Sequence, residues 1–323
     1  MRYRRLGRTD LDVSEIGHGL WGMGGWSGSD DAESMRALQL ALDLGCSFFD
    51  TAWAYGQGHS DRLLGRLITA NPGKRIITAS KVPPRNGKWP GSATDTLADT
   101  FPRAHVIEMA EKIRGALGVD AIDLLQFHVW DDAWLADASW IDTVAELKAK
   151  GIIRWFGLSL NRWEPWNGLK ALDSGAVDAV QVIYNIFDQS PEDNLFPKCV
   201  EQNVGVIARV PLDEGSLAGT LTKDTTFPAG DWRAGYFGPE NLGPTVDRVE
   251  KLRPLVPAGM TPAEMALRFV ISSPDVSTTI VGMRKEKHVR MNTGASDGTP
   301  PAPALLAALR AHRWDRKVRP WSD

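Results

Sequence analysis

Cysteine is scarce in this 323-residue chain, and long apolar runs are missing. Two cysteines, Cys46 and Cys199, cannot build a disulfide framework, so we expect reduced thiols and a cytoplasmic protein. No apolar run approaches the roughly 20 residues that span a bilayer, and no apolar signal core follows the basic start, residues 1–5. These absences exclude a small disulfide-rich protein and predict that no membrane is a partner.

An excess of charge of one sign is also absent. The chain carries 37 Lys and Arg against 40 Asp and Glu, for a net charge of -3. Without a strongly basic face, nucleic acid is not an expected partner. We also assign no metal site. No Gly-x-Gly-x-x-Gly sequence follows a predicted strand and opens a helix, which excludes the usual Rossmann arrangement for dinucleotides.

What the chain does have is a regular alternation of strand-like and helix-like segments. After a small hairpin within residues 1–15, eight strands are predicted at 16–20, 47–50, 75–81, 122–128, 152–158, 179–183, 204–210 and 276–281. Helices are predicted at 31–44, 60–69, 102–117, 140–150, 165–174, 192–202, 285–292 and 303–313, with further helices after the seventh strand.

Eight such units favour a closed barrel over an open sheet. Near-continuous apolar strands, such as residues 179–183, are typical of strands that are buried on both faces. The fold class is therefore predicted as α/β, a (β/α)8 TIM barrel with an N-terminal hairpin, formed by one domain over residues 1–323. Two long loops, 83–101 and 212–243, follow strands and should lie at the carboxyl-terminal face, where barrel active sites form.

Polar side chains end three consecutive strands of this pattern. Asp50, Lys81 and His128 each close an apolar run, and Tyr55 follows Asp50 by five residues. If the strands are parallel and adjacent, a carboxylate, an ammonium, an imidazole and a phenol meet at one mouth. Such a set of groups is suited to moving a proton to or from an oxygen.

Each of these residues alone has a simpler explanation. A strand-end Asp often caps a turn, a lone Lys is more often a solvated rim charge, and single Tyr and His residues are more often packing residues. Their joint occurrence in this order favours a functional site.

Segments 50–56, 80–81 and 126–128 together resemble the aldo-keto reductase family, and segment 209–217 looks like its bacterial branch. The resemblance extends from the hairpin to the eighth strand. It implies reversible reduction of an aldehyde or ketone to an alcohol with NAD(P)H. By the same resemblance Tyr55 is the general acid, Lys81 its activator, Asp50 the partner of Lys81, and His128 the residue that orients the carbonyl.

Elementary chemistry agrees with these roles. A free phenol has a pKa of about 10, and a nearby buried ammonium is expected to lower it. A buried Lys81 needs the Asp50 carboxylate to keep its proton. A neutral His128 can donate a hydrogen bond to the substrate oxygen and so polarise the carbonyl.

The resemblance also places a nicotinamide cofactor across the barrel mouth. The residues it implies are Gly19, Leu20, Trp21, Asp50, Ser159, Asn161, Gln181, Arg209, Pro211, Leu212, Gly215, Gly282, Arg284, Lys285, His288 and Asn292. Two departures from the family pattern stand out. Leu160 separates Ser159 from Asn161, which the family places side by side, and Arg209 occupies a position that is aromatic in many members.

The turn after the eighth strand decides the expected choice of cofactor. The resemblance implies that this turn holds the 2′-phosphate of the adenosine. Arg284 and Lys285 stand at the start of a helix, where an anion is already favoured, and their charges suit such a phosphate. We therefore expect NADP(H) over NAD(H), although a solvated, charged helix face would explain either residue alone.

The substrate is expected to be a small carbonyl compound or alcohol. Aromatic side chains should surround it. The candidates are Trp21, Trp53, Trp89, Trp130 and Trp232, each of which taken singly suits the core equally well.

Two other functions compete with this interpretation. Lys81 could act as a Schiff-base nucleophile in a barrel lyase, but a neighbouring Asp50 would keep it charged. The chain could instead be a cofactor-binding regulatory subunit, like the potassium-channel β subunits that resemble the same family. The sequence makes no prediction about oligomeric state.

Overall fold

The computed structural model describes residues 1–25 and 28–316. The chain opens with an antiparallel hairpin of β1 (Tyr3–Arg5) and β2 (Asp12–Ser14). Its turn lies against the start of a later strand, where a Cβ on Gly7 would stand 2.2 Å from the backbone nitrogen of Gly205. Gly7 also has a φ of 52°, a backbone conformation that favours glycine. The predicted hairpin is confirmed.

Eight parallel strands close into a barrel. They are β3 (Ile16–Gly19), β4 (Phe48–Asp50), β5 (Ile77–Val82), β6 (Ile122–Phe127), β7 (Ile153–Ser159), β8 (Ala179–Ile183), β9 (Gly205–Arg209) and β10 (Thr278–Gly282). Neighbours in sequence are neighbours in the sheet, and β10 pairs with both β9 and β3 to complete the closure. The predicted TIM barrel is confirmed, with each strand within about two residues of its expected position.

Helices surround this barrel. Their bounds are α1 (Asp31–Asp43), α2 (His59–Ala70), α3 (Leu97–Thr100), α4 (Arg103–Leu117), α5 (Ser139–Ala149), α6 (Leu169–Leu172), α7 (Leu195–Gln202), α8 (Arg233–Tyr236), α9 (Leu242–Leu252), α10 (Pro262–Ser272), α11 (Glu286–Gly294) and α12 (Pro303–Arg310). Short 3₁₀ turns occur at Trp21–Met23, Asp132–Ala136, Ser190–Glu192, Asp213–Ala218 and Arg253–Leu255. None of the helices in the described part of the chain combines the length and hydropathy needed to cross a bilayer.

The helix expected at 165–174 is wrong in extent, since only α6 is helical there. Trp163 and Gly168 have φ values of 56° and 155°, which break a helix before it can start. The Asn167 side chain instead accepts a hydrogen bond from the backbone of Asp132 at 2.7 Å. Residues 162–168 are thus a loop that is tied to the segment after β6.

Two further helix predictions need shorter bounds. The helix expected at 192–202 begins at Leu195, after a 3₁₀ turn that contains Pro191. The helix expected at 303–313 ends at Arg310. The long segment 212–243 is not wholly irregular, because it contains a 3₁₀ turn and α8.

The amino-terminal end of the barrel is filled with apolar side chains. The hairpin contributes Leu6, Leu11 and Val13, and the strands contribute Phe48, Ile77, Ala79, Leu124, Ala179, Ile207 and Ile280. All are buried, with at most 9% of the surface of any side chain exposed. Arg4 fixes the hairpin over this end by donating three hydrogen bonds to carbonyl groups of Ile271, Ser273 and Val276.

Candidate active site

The carboxyl-terminal end of the barrel brings together the four side chains that the strand ends predict. Asp50 is the last residue of β4, Lys81 lies one residue before the end of β5, and His128 directly follows β6. Tyr55 lies in the turn between β4 and α2. Since these strands are parallel neighbours in the sheet, their carboxyl ends lie at the same mouth.

Lys81 and Asp50 form a fully buried ion pair. The Lys81 Nζ donates to Asp50 Oδ1 at 2.5 Å and to the Thr51 carbonyl at 2.8 Å. Burial lowers the pKa of the Lys81 ammonium, but the Asp50 carboxylate and then Tyr55 outweigh that effect and raise it above its ordinary value. Lys81 therefore keeps its proton at neutral pH, which argues against a Schiff-base nucleophile.

Two glutamines on the inner face of the barrel complete the surroundings of Asp50. Gln181 on β8 donates to Asp50 Oδ2 at 2.8 Å, and Gln126 on β6 makes a longer contact of 3.4 Å with the same atom. Gln181 was expected to meet a nicotinamide carboxamide, whereas here its N–H group is directed to Asp50. Gln126 was missed, although it precedes His128 by two residues and alternation along a strand places it inside the barrel.

Tyr55 lies next to the ammonium of this pair. The Lys81 Nζ is 5.2 Å from the centre of the Tyr55 ring. Burial raises the pKa of the phenol above its usual value of about 10, and the opposing charge of Lys81 only partly offsets this. Lys81 does act to lower the phenol pKa, as expected, but burial has the larger effect. The phenol stays protonated at neutral pH.

Close backbone packing fixes the turn that carries Tyr55. A Cβ on Gly24 would stand 2.7 Å from the backbone carbon of Tyr55, and one on Gly56 would stand 2.4 Å from the Gly24 carbonyl oxygen. Gly56 also has a φ of 67°. The segment after β3 can therefore press against Tyr55 only because both positions lack a side chain.

His128 is neutral in this environment. Burial, followed by the charges of Lys81 and Arg209, lowers the pKa of the imidazole well below its usual 6.5. The ring lies 5.7 Å from the Tyr55 ring and 4.5 Å from the Trp89 ring, edge to face in both cases. Its Nδ1 is buried and has no hydrogen-bond partner within the described residues. A neutral imidazole beside a protonated phenol can contact one substrate oxygen together with it.

Two residues after β7 have different surroundings. Ser159 ends β7 and is buried next to Gln181 in the sheet register. Asn161 uses its amide group on another loop: it accepts from the Gly91 N–H at 3.0 Å and donates to the Gly91 carbonyl at 2.9 Å and to Glu164 at 2.9 Å. The structure thus places the amide group of Asn161 in a contact between loops.

The segment after β9 contains four of the expected cofactor residues. Arg209 ends the strand and donates to the Leu160 carbonyl at 2.9 Å, while its buried Nε has no partner within the described chain. Burial and the neighbouring Arg162 lower the pKa of Arg209 to about 10, so it remains charged at neutral pH. Pro211, Leu212 and Gly215 follow in a turn where Gly215 has a φ of 98°.

An ion pair that sequence reasoning missed secures this turn. Arg162, in the loop after β7, donates to Glu214 at 3.2 Å through both terminal nitrogens. The same guanidinium lies 5.2 Å from the Trp232 ring. Nothing in the spacing of Arg162 and Glu214 marks them as partners, because only the closed barrel brings their loops together.

Several cationic side chains lie at the turn after β10 and at the start of α11. Gly282 ends the strand, Lys285 is exposed, and His288 is half-buried in the first turn of α11. Burial and the charges of Lys287, Lys285 and Arg284 lower the pKa of His288. A Cβ on Gly28 would stand 3.8 Å from a terminal nitrogen of Arg284, so this side chain reaches the segment after β3.

Several observations on these residues fit a nicotinamide dinucleotide. The cationic turn after β10 suits a phosphate, and a Cβ on Gly282 or Gly215 would meet no atom within 4 Å, so the backbone at both turns is open. Leu20 has few groups left for a cofactor. Its side chain is fully buried in the core, its N–H donates to the Asp50 carbonyl, and its own carbonyl accepts from the Ser60 hydroxyl. Asn292 is buried within α11, and Gly19 ends β3.

The five tryptophans expected around the substrate divide into two groups. Trp21 and Trp89 are 39% and 41% exposed, Trp53 is half-buried, and Trp232 contacts Trp21 with 5.6 Å between the rings. Trp130 is fully buried, and it packs on Phe127, Trp134 and Trp140. The expectation that Trp130 lines the pocket is therefore wrong, because the 3₁₀ turn after β6 encloses its ring in the core. Within the described residues, no cluster of His, Cys, Asp or Glu could hold a metal ion.

The fold and the buried Asp-Lys-Tyr-His group together define a class: barrel enzymes that transfer a hydride and a proton to a carbonyl. The model of the aldo/keto reductase family matches residues 15–301, so the chain belongs to this family. It is 29% identical over 293 residues to the aldo-keto reductase YhdN of Bacillus subtilis (strain 168), a match that covers 88% of this chain and 86% of the relative.

Other comparisons agree. The NADH-specific methylglyoxal reductase of Escherichia coli (strain K12) is 28% identical over 305 residues, covering 90% of this chain and 92% of the relative. The solved structure of aldo-keto reductase AKR11C1 from Bacillus halodurans, in its holo form, superposes with a TM-score of 0.77 at 25% identity over 100% of both chains. The predicted family is confirmed. The protein is an oxidoreductase that uses a nicotinamide cofactor to reduce aldehydes or ketones, and the regulatory and Schiff-base alternatives are not favoured.

Proposed function

We propose that Tyr55 is the proton donor in this carbonyl reduction and that Lys81, Asp50 and His128 support it. The observation that carries the proposal is the buried pair of Lys81 and Asp50, 2.5 Å apart, with its ammonium beside the Tyr55 ring. A bound reduced nicotinamide supplies a hydride to the carbonyl carbon. The carbonyl oxygen then needs a proton, and the Tyr55 hydroxyl holds one at neutral pH.

Lys81 stabilises the phenolate that remains after this transfer. A positive charge next to the phenol favours its ionised form, and Asp50 keeps that charge on Lys81 inside the barrel. Gln181 holds the second oxygen of Asp50, so the carboxylate stays directed at the ammonium. In the reverse reaction the same charge helps Tyr55 to accept the proton of an alcohol.

His128 orients the substrate oxygen. As a neutral imidazole it contributes a hydrogen bond without adding a second positive charge next to Lys81. Such a donor polarises the carbonyl before the hydride arrives.

NADP(H) is the proposed cofactor in preference to NAD(H). Support comes from the group of cations after β10, which together with burial, the larger cause, lower the pKa of His288. A phosphate monoester placed there would bond to Arg284 and Lys285 and would lie at the start of α11. The cofactor contacts proposed nearer the catalytic group are Ser159, Arg209 and the turn from Pro211 to Gly215.

Replacing Arg284 and Lys285 together by Ala tests this preference. We expect the affinity for NADPH to fall by roughly 10- to 100-fold, because two charge-assisted contacts to the 2′-phosphate are lost. The affinity for NADH should change less than about threefold. The measurement is titration of each reduced cofactor by its fluorescence, and an equal loss for both cofactors would remove the assignment.

The substrate class proposed is an apolar or aromatic carbonyl compound. Trp21, Trp53, Trp89 and Trp232 remain as candidates for the wall of the pocket, and aromatic rings bind flat apolar groups well. A panel of aliphatic and aromatic aldehydes and ketones, each assayed with NADPH and with NADH by loss of absorbance at the reduced nicotinamide, tests the function. If no carbonyl compound in a broad panel oxidises either cofactor, the assignment fails.

Residues 1–323 are proposed to act as one domain, since both ends of the described chain are tied to the barrel. The Arg2 N–H donates to Ser296 at 2.9 Å, and Arg316 forms a buried ion pair with Asp213 at 2.7 Å. The buried free thiols of Cys46 and Cys199 support a reducing compartment such as the cytoplasm.

A further inference from the structure

Asn161 pairs with the backbone of a residue 70 positions earlier in the chain. Its Oδ1 accepts from the Gly91 N–H at 3.0 Å, and its Nδ2 donates to the Gly91 carbonyl at 2.9 Å. Both partners are buried, with Asn161 only 4% exposed. One side chain thus makes the pair of bonds that two antiparallel strand residues would exchange. In a buried setting, loss of these bonds leaves two backbone groups unsatisfied.

Gly91 belongs to the loop after β5, residues 83–101, and it is held from the opposite side as well. A Cβ on Gly91 would stand 3.0 Å from the Trp134 ring and 3.2 Å from the backbone of Trp130. The Trp134 indole N–H donates to the carbonyls of Ser92 and Asp95, at 3.2 and 3.0 Å. Gly91 therefore bonds to Asn161 and also packs closely on the segment after β6.

Trp89 precedes Gly91 by two residues and contacts the proposed active site. Its ring meets the His128 ring edge to face, with 4.5 Å between centres and an interplanar angle of 89°. It is 41% exposed, so part of the indole remains available to a ligand.

We propose that Asn161 is a positioning residue for substrate selectivity: by holding Gly91 it fixes Trp89 beside His128. Trp89 then forms a rigid aromatic wall next to the substituent of the bound carbonyl carbon. A fixed wall favours aromatic and large apolar carbonyl compounds, since no loop has to be ordered when they bind. Small aliphatic aldehydes do not reach this wall. The inference rests on the proposed roles of His128 and of the tryptophan pocket.

The test compares Asn161→Ala with wild type on 4-nitrobenzaldehyde and propanal, with NADPH as cofactor. We expect the ratio of kcat/KM for the aromatic over the aliphatic aldehyde to fall about tenfold, which corresponds to about 1.4 kcal/mol, a magnitude typical of an aromatic contact. The loss should lie mainly in the KM of the aromatic aldehyde. NADPH affinity should stay within about twofold, since Asn161 does not touch the cofactor in this proposal.

A double-mutant cycle separates action through Trp89 from any other route. In a Trp89→Ala background, adding Asn161→Ala should change the aldehyde ratio by less than about twofold, because the wall is already absent. A tenfold change in that background would overturn the proposal. So would a large loss of NADPH affinity with an unchanged aldehyde ratio, which would make Asn161 a cofactor contact.

Asn167→Ala is the matched control. Asn167 also donates to Glu164, at 3.2 Å, but its other hydrogen bonds go to the segment after β6. Its removal should leave the aldehyde ratio within about twofold of wild type. An equal fall of the ratio in Asn167→Ala would show that general loosening, and not the Gly91 contact, sets the preference.

Hydrogen exchange at the Gly91 amide gives a readout that needs no turnover. This amide should exchange faster in Asn161→Ala than in wild type or Asn167→Ala, because its acceptor is removed. Unchanged exchange would overturn the positioning role. If wild type reduces neither aldehyde with either cofactor, the proposed function fails, while the exchange measurement still decides whether Asn161 holds the loop.

Discussion

Two layers of side chains inside the barrel lie two residues apart on the same strands and differ completely in character. In the amino-terminal layer the strands place Phe48, Ala79, Leu124, Ala179 and Ile207 against the hairpin. Two residues further along the same strands stand Asp50, Lys81, Gln126, Gln181 and Arg209. Both layers are enclosed by the same sheet, so the fold does not by itself decide which layer is polar.

The comparison shows how the barrel separates stability from chemistry. The apolar layer buries its side chains under the hairpin and contributes free energy of folding. The polar layer pairs a buried charge with an opposite charge, an arrangement of little net benefit to stability. We therefore infer that the polar layer is retained for the reaction. Substitutions in the two layers should accordingly affect different measurements.

The largest expected effect is on turnover. Tyr55→Phe removes the proposed proton donor and should lower kcat for carbonyl reduction by roughly 10²- to 10⁴-fold. The affinity for NADPH and the midpoint of urea unfolding should stay close to wild type. Turnover and fluorescence titration on one preparation measure both properties. Wild-type kcat in this variant would reject Tyr55 as the donor.

Phe48→Ala, a substitution in the apolar layer, is the control for Tyr55→Phe. It should lower the free energy of unfolding by about 3–5 kcal/mol, because a buried aromatic ring is lost. Turnover per folded molecule should change little. A large fall in kcat for the folded enzyme would mean that the two layers are not independent.

The next effect is on the free energy of unfolding, through the buried ion pair of Lys81 and Asp50. Lys81→Met leaves Asp50 buried without its cation and should lower the free energy of unfolding by about 3–5 kcal/mol. Adding Asp50→Asn removes the unpaired buried charge, so the double variant should recover much of this stability without recovering turnover. Urea unfolding of the single and double variants measures the difference.

Lys112→Met on α4 is the matched control for this prediction. It breaks an exposed pair with Glu108, where solvent screens the charges, so the unfolding midpoint should hardly move. No recovery in the double variant would contradict the assignment of the destabilisation to an unpaired Asp50.

The smallest effect concerns a buried carboxylate that forms no ion pair with any of the described residues. Asp61 on α2 is fully buried and accepts from the Ser80 hydroxyl at 2.7 Å, and burial raises its pKa to about 6. Because this folded pKa exceeds the unfolded value of about 4, ionisation between pH 4 and 6 lowers the stability of the wild-type fold. Asp61→Asn should remove that loss, so its stability relative to wild type should rise by up to about 3 kcal/mol between pH 4 and pH 8.

Urea unfolding at the two pH values checks this sign. A wild-type protein that gains stability over the same range relative to Asp61→Asn would show that Asp61 has an unrecognised cationic partner.

The strands, the three residues at strand ends and the nearby Tyr55 could be predicted because they depend on local signals. Apolar runs that end in Asp50, Lys81 or His128 are visible along the chain, and parallel pairing then brings the ends together. The same strand alternation predicts that Gln126 and Gln181 lie on the inner face of the barrel, but it does not predict their contacts with Asp50. They were missed because a glutamine inside an apolar strand does not reveal which group it will bond.

Three further features have a long-range cause. Trp130 follows a strand as a pocket residue would, but the turn after β6 directs it into a cluster of aromatic rings. Asn161 stands near the family's position for a cofactor contact, yet it bonds to Gly91. The pKa of Tyr55 rises because burial outweighs Lys81, and burial is a property of the assembled barrel.

The order of residues alone determined an eight-unit barrel, its mouth and the residue types that meet there, because strand periodicity and parallel pairing are properties of the local chain. Only the tertiary structure decided which polar groups bond to one another, how strongly burial shifts their pKa values and which tryptophans are enclosed in the core. Those outcomes depend on distances between loops that are far apart in sequence, and these distances exist only after the barrel has closed.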